Sequence, residues 1–433
     1  MRRRRLSIVE NSAALRYSLR LMQPITKPAN GNAALSALIV TTVLHGMIHG
    51  FSIFLSPLND QMRQFFAADT ISAITAMKST YLIVYAIGNL AFGILTNRLS
   101  ARNALAAGMI INGLAVAAFS RVGPDGLSQM HLLWAVAALG GSVYHPIANV
   151  LITRLYPSRK GMVLGVTGLG AAVGFSSAPL LTGVLSRMIG LGWQQIALLF
   201  GLVGVGVGLL SWFFVPRGEQ GTAVDRVTGA PADPLKVPAY NGRTLGVVLL
   251  GSVIFIGGLR EVAMWSILDI SDFFLTVLLE DSTTSGFFLA LLYLPGIFIK
   301  PLVGTLSDRI GRKRLAAAAL LVYGAAIASS SLAGPFGLVP IYLLMGIGHA
   351  ATMPSIEAIV ADSTSEHNRG VVFGVFVTAG IAMGALGPLV SGAVLDALGG
   401  TLAAFRIWMV VLGCLPFVGG IALALLRFPT GEN

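Results

Sequence analysis

Gly304–Arg314 reads GTLSDRIGRKR, with apolar runs on both sides, Phe287 to Val303 before it and Leu315 to Ala333 after it. A tight turn holding one carboxylate, Asp308, and four cations, Arg309, Arg312, Lys313 and Arg314, therefore lies between two stretches long enough to cross a bilayer. Cations beside a short loop mark the cytoplasmic side of a membrane protein. Gly304 and Gly311 permit close helix packing and a sharp reversal of the chain. Asp308 is a lone acid among cations, which points to a task of its own.

The rest of the composition agrees. The chain has 433 residues, of which 55% are hydrophobic and 11% charged, and its mean hydropathy is +0.80. Soluble domains carry about 25% charged residues, so a polytopic membrane protein is expected. At about 20 residues per span the chain has room for twelve helices. The expected spans are 36–58, 76–97, 104–121, 129–153, 160–187, 193–215, 244–268, 284–306, 315–333, 338–361, 370–395 and 402–426. Residues 1–35 read as a basic cytoplasmic tail, with an organelle presequence or a start at Met22 as alternatives. Residues 36–215 read as a first six-helix bundle, 216–243 as a Gly-, Pro- and charge-rich cytoplasmic linker, 244–427 as a second bundle and 428–433 as a cytoplasmic end. The formal net charge is +11. All but seven of the 29 Lys and Arg (Arg63, Lys78, Arg121, Arg187, Arg260, Lys300 and Arg406) fall in the tail or in loops on one side. That bias places both termini in the cytoplasm and argues against nucleic acid as a partner. Cys414 is the single cysteine, so no internal disulfide is available.

The halves repeat each other. GILTNRLSAR from Gly93 matches GTLSDRIGRK from Gly304, YHPIANV matches TMPSIEA with Pro146 over Pro354, and SAPLLTG matches LGPLVSG with Pro179 over Pro388. These pairs share offsets of 211, 208 and 209 residues. Two related bundles with a substrate path between them are the expected result.

The loop signature, the internal repeat and the span count together resemble the major facilitator superfamily over residues 36–426. That resemblance implies an all-α membrane protein of twelve helices in two pseudo-symmetric six-helix bundles. It also implies alternating access around a central site lined by spans 1, 2, 4, 5, 7, 8, 10 and 11. In such proteins the loop carboxylate faces the N-terminus of the partner half's fifth helix, where helix ends attract anions. Only Asp308 keeps that role here, because Asn97 and Ser100 replace the usual Asp and Gly in the first copy. Arg98, Arg154, Arg309 and Arg312 are the accompanying gate candidates. Asn97 is expected to make a weaker contact with the start of span 11. Gly165, Gly174, Ala178, Pro179 and Gly183 in span 5 resemble the antiporter signature of drug–proton exporters, with close helix packing as the plainer explanation. HGMIHGFSIFLSPLND in span 1, YHP in span 4 and the Arg-bearing end of span 7 resemble the fosmidomycin-resistance branch of bacterial exporters.

Polar residues inside spans are costly and mark function by default. His45 and His49 share a face of span 1. Tyr85 is on span 2, Tyr144 and His145 on span 4, Arg260 and Glu261 on span 7, Tyr293 on span 8 and His349 on span 10. These form the expected substrate site, with Glu261 and Glu357 as proton-coupling candidates. Arg260 and Glu261 are neighbours that diverge by about 100° on a helix, so each is expected to seek another partner. Lys300 is placed to snorkel toward the inner surface, and Glu357 to join the gate with Arg154. The histidine pair lacks cysteines or carboxylates at ligand spacing, so no metal or cofactor is expected. No HExxH, phosphate loop or nucleophile elbow occurs, which leaves no enzyme reading. The expectation is a monomeric inner-membrane transporter of a small anionic or zwitterionic organic solute, most simply proton-coupled efflux. Organic-anion uptake or exchange is the alternative, and a non-transporting sensor on the same scaffold is the third.

Overall fold

A computed structural model describes residues 31–157, 159–216, 244–280, 284–362, 364 and 369–427. The basic tail up to residue 30, most of the linker (217–243) and residues 428–433 lie outside the described residues. Twelve helical spans follow in order. They are α1 (Gly31–Ile53), α2 (Ile71–Leu95), α3 (Ala101–Ala118), α4 (Leu127–Ser142 and Tyr144–Leu155), α5 (Lys160–Ile189), α6 (Trp193–Phe214), α7 (Thr244–Leu279), α8 (Ser285–Ile310), α9 (Arg312–Ser329), α10 (Pro335–Asp362), α11 (Arg369–Gly384 and Leu386–Ala397) and α12 (Leu402–Leu425). Eleven of them are long and apolar enough to cross a membrane, and the apolar part of α8, Ser285–Lys300, is shorter.

Proline chemistry sets the two breaks. Pro146 and Pro388 each remove an N–H and crowd the carbonyl four residues earlier. The first break falls at Val143 and the second at Ala385, one residue beyond those carbonyls. Pro179, the repeat counterpart of Pro388, lies within an unbroken α5.

The internal repeat is visible in the packing. A Cβ on Gly113 of α3 would lie 2.7 Å from Val205 N of α6, and one on Gly324 of α9 would lie 2.7 Å from Phe417 N of α12. The two glycines are 211 residues apart, the offset of the repeated loop. Small residues at these seams let backbones touch. The outward faces of the same helices are apolar, with Leu114, Leu202, Leu210, Phe213, Ile407 and Val418 exposed, as a lipid-facing surface requires.

The glycines of α5 divide into two kinds. A Cβ on Gly174 would lie 2.8 Å from the Gly46 Cα, so α1 and α5 meet backbone to backbone, whereas Gly165 has no heavy atom within 4 Å of its Cβ position. Packing therefore accounts for part of the glycine pattern. Gly174→Val is expected to cost about 1–3 kcal/mol by overpacking and to lower the thermal unfolding midpoint. Gly165→Ala should leave the midpoint unchanged or raise it. Equal midpoints in the two variants would contradict this seam.

Candidate functional site

With an even number of spans, both described chain ends lie at one face of the bundle, called the near end below. The other face is the far end. Between them the polar side chains gather into two groups, one in each half.

In the N-terminal half, α1 presents His45 and His49 one turn apart, and the break in α4 places Tyr144 and His145 against them. The Tyr144 hydroxyl donates to the Thr41 carbonyl at 2.8 Å, and its ring stacks on His45 with centroids 4.7 Å apart. The His145 ring lies 4.9 Å from His45 and 5.5 Å from His49, and Tyr85 reaches it edge-on at 6.3 Å. His45 Nδ1 is 2.8 Å from the Thr167 carbonyl of α5. A carbonyl only accepts, so Nδ1 carries the hydrogen and a neutral His45 keeps a lone pair on Nε2. His49 Nε2 then donates to that Nε2 across 3.0 Å.

In the C-terminal half, Arg260 is buried with every edge of its guanidinium engaged. Nε donates to Thr352 Oγ1 at 2.8 Å, Nη2 to His349 Nδ1 at 2.8 Å, and Nη1 pairs with Glu261. The expected divergence of Arg260 and Glu261 is thus corrected. Two buried charges gain more from each other than helix geometry costs them, so the glutamate folds back onto its neighbour. Tyr293 and Tyr323 flank His349 at 5.3 and 5.6 Å.

Lys300 is partly buried. It lies close enough to Arg260, Glu261 and Glu357 to feel their charges, and its own charge reaches His45 and His49 in the other half. Two gate expectations change with it. Arg154 donates to Asn97 Oδ1 at 3.1 Å within its own half, so Glu357 has Lys300 as its cationic neighbour and Asn97 is engaged away from α11.

An aromatic bridge joins the two groups. Phe175 of α5 lies 4.5 Å from His49 and stacks on Tyr293 of α8 at 4.5 Å and 11°. The buried hydroxyls of Tyr85, Tyr293 and Tyr323 have no hydrogen-bond partner among the described residues. Leaving such a group unmet costs about 1–3 kcal/mol, which a bound polar molecule can recover.

A second polar layer at the far end escaped the sequence reading. Helix α7 continues eleven residues past its expected end at 268, to Leu279, and brings Asp269 and Asp272 into the core, both buried. Asn59 donates to the Asp269 carbonyl at 2.7 Å and to its carboxylate at 3.2 Å. The Asp60 amide donates to Asp272 Oδ2 at 2.8 Å. Lys78 of α2, also buried, donates to the Ser52 carbonyl, lies 4.8 Å from the Trp134 ring and is near enough to Asp269 to feel its charge. Asp396 of α11 accepts from the Ile71 and Ser72 amides at 2.7 and 3.0 Å, so a carboxylate of one half caps a helix of the other. The Ser79 hydroxyl adds a bond to the Ala385 carbonyl at 2.7 Å. These bonds join the halves across the far end.

At the near end Arg98 and Arg309 are exposed, and Arg312 Nη1 donates to the Ala358 carbonyl of α10 at 3.2 Å. Asp308 lies in the last turn of α8, and its side chain is outside the described residues.

Two six-helix halves, joined at one end and holding buried charge and aromatic rings between them, define a polytopic helical membrane protein. Comparison with known proteins names the family. The sequence model of the Major Facilitator Superfamily matches residues 37–279 and 254–433, and the chain belongs to that family. Among curated relatives it is similar to the multidrug resistance protein MdtG of Dickeya zeae (strain Ech586), 26% identical over 250 residues, 55% of this chain and 57% of the relative. It is also similar to multidrug resistance protein 2 of Bacillus subtilis (strain 168), 29% identical over 193 residues, 43% of each. The chain spans about half the length of these curated relatives. Among solved structures, an inward-facing, unoccupied bacterial homolog of the human lysosomal transporter Spinster has a TM-score of 0.73 at 14% identity, covering 93% of this chain and 100% of that one. A point mutant of the nucleoside transporter NupG has a TM-score of 0.71 at 15% identity, covering 91% and 99%. Both show the fold.

Proposed function

We propose that the protein exports a small zwitterionic or anionic organic compound from the cytoplasm in exchange for protons. The buried Arg260–Glu261 pair carries this reading. A guanidinium in an apolar bundle costs about 2.5–3.5 kcal/mol on insertion scales, and Glu261 offsets that cost until substrate arrives. A zwitterion offers each member its opposite charge, so the pair can open onto it without stranding either one. The planar fork of Arg260 suits a carboxylate, phosphate or phosphonate. A proton arriving at Glu261 neutralises it and displaces the ammonium group of the substrate. Proton and substrate then alternate on one carboxylate, which is the logic of antiport. The names of the two multidrug resistance relatives support the export direction, and the cation bias of the loops supports a cytoplasmic near end in a bacterial inner membrane.

Lys300 favours a second reading. With Arg260 it supplies two cations for an organic anion. Protonating Glu261 would free Arg260 for that anion, so proton and anion would travel together as uptake. One experiment separates the two. Purified protein is reconstituted into liposomes with an imposed pH difference, and a panel of labelled zwitterions, anions and permanent cations is followed against protein-free liposomes. Antiport concentrates substrate in the acidic compartment, and symport concentrates it in the alkaline one. Permanent cations carried at full rate by both the unmodified and the Arg260→Lys protein would defeat both readings.

Asp308 serves as the near-end latch in this proposal, through attraction to the positive N-terminus of α5, worth about 0.3–1 kcal/mol and up to about 2 when partly buried. Asp308→Asn should speed alkylation of a cysteine placed at the near end of α5 by about 2- to 30-fold. Unchanged labelling with and without substrate would remove the latch.

A further inference from the structure

We propose that His45, His49 and His145 form a transition-metal site in the wall of the N-terminal half, suited to Zn2+, Co2+ or Ni2+. One ligand nitrogen from each ring lies within 4.8 Å of the others. His45 Nε2 and His49 Nε2 are already 3.0 Å apart, close to the separation of two nitrogens each about 2.0–2.1 Å from a tetrahedral ion. The third ring closes the set by a side-chain adjustment.

The bond from His45 to the Thr167 carbonyl is an independent observation pointing the same way. Metal-bound histidines nearly always donate their second ring N–H to a carbonyl or carboxylate, which fixes the tautomer and aims the free lone pair at the ion. Here that outer bond is in place, and it leaves Nε2 of His45 as the ligand. The Tyr144 and Phe175 rings hold the first two imidazoles from behind. His49 and His145 are only half-buried, so an ion has a way in. Three imidazoles without a thiolate or carboxylate suit borderline ions, not Mg2+ or Ca2+. They leave a fourth position open, as in catalytic zinc sites.

The test uses full-length, tag-free protein in detergent, titrated with Co2+ and followed by its visible d–d bands. The expected result is saturation at about one Co2+ per chain with intense tetrahedral bands that Zn2+ abolishes. His49→Gln and His145→Gln should weaken binding by more than the 10–100-fold typical of losing an outer partner. His131→Gln, which alters an imidazole held by Thr80 outside the cluster, should leave it unchanged. Absence of the bands in the unmodified protein overturns the proposal, as does their survival in both cluster variants or their equal loss in His131→Gln. Should a cluster variant fail to elute as a monodisperse peak, zinc-edge absorption of the unmodified protein decides instead. Three imidazole scatterers support the site, and an oxygen-only shell overturns it.

Discussion

Glu261→Gln is expected to abolish accumulation of substrate against its gradient while leaving downhill exchange close to the unmodified rate. The amide keeps the shape of the carboxylate and still accepts from Arg260 through its oxygen, so the contacts of the guanidinium with Thr352 and His349 survive. The change removes the negative charge and, with it, the ability to take up and release a proton. A glutamine mimics the protonated state throughout, which can bind and rock but cannot draw on the proton gradient. Glu357→Gln provides the comparison, because Glu357 lies near enough to Lys300 and Arg260 to feel their charges. Counterflow and pH-driven uptake, measured on the same liposomes, separate the outcomes. Loss of both activities in Glu261→Gln would assign the residue a structural part, and retention of both in both variants would remove carboxylates from the coupling. Arg260→Ala is the poorer probe, since it strands Glu261 in the bundle at about 3–5 kcal/mol.

The architecture was legible because its signals are long or repeated. Loop cations, a period of about 20 apolar residues and the doubled landmarks at Gly93/Gly304 and Pro179/Pro388 each survive local exceptions. The central site was half legible. The polar residues of the lining helices stand out in the sequence by position, but their partners do not. Arg260 and Glu261 pair because burial overrides the divergence of adjacent helical residues. Lys300 lies near enough to Glu261 and Glu357 to feel their charges, a proximity that no single span displays. His145 joins His45 and His49 only because Pro146 breaks α4 and α1 packs across the break. The far-end layer was missed for a different reason. Asp269 and Asp272 look like the start of a loop, since acids after an apolar run end most spans. Their burial depends on Asn59, Lys78 and the Asp60 amide, about 200 residues earlier in the chain. Two features within the sequence pointed there: Lys78 inside a span, and the largely apolar tail FFLTVLL after Asp272.

Lys78→Met should open the far end by about two powers of ten. The Lys78 ammonium is buried between the Ser52 carbonyl, the Trp134 ring and Asp269 of the opposite half. Removing one member of a contacting buried pair costs about 3–5 kcal/mol; Lys78 and Asp269 interact over more than ion-pair distance, so the low end, about 3 kcal/mol, applies. That penalty falls on the closed arrangement. Once the halves part at this end, water reaches Asp269 and the penalty vanishes. The closed–open equilibrium therefore moves by the penalty itself, and each 1.4 kcal/mol is about tenfold. Thr75 supplies the reporter, since it is buried on α2 and faces Gly392 of α11. In a Cys414→Ser background, alkylation of Thr75→Cys should rise about 100-fold with Lys78→Met and remain low with Lys78→Arg. The double change Lys78→Met with Asp269→Leu removes the stranded carboxylate and should return much of the protection, the coupling a double-mutant cycle measures. Asp396 would still cap α2 from α11 in that variant, so the far end keeps a second clasp while the first is tested. Equal alkylation in the single and double variants, or none in either, would show that the halves are held by packing and the Asp396 cap, with the Lys78–Asp269 pair contributing nothing to the gate.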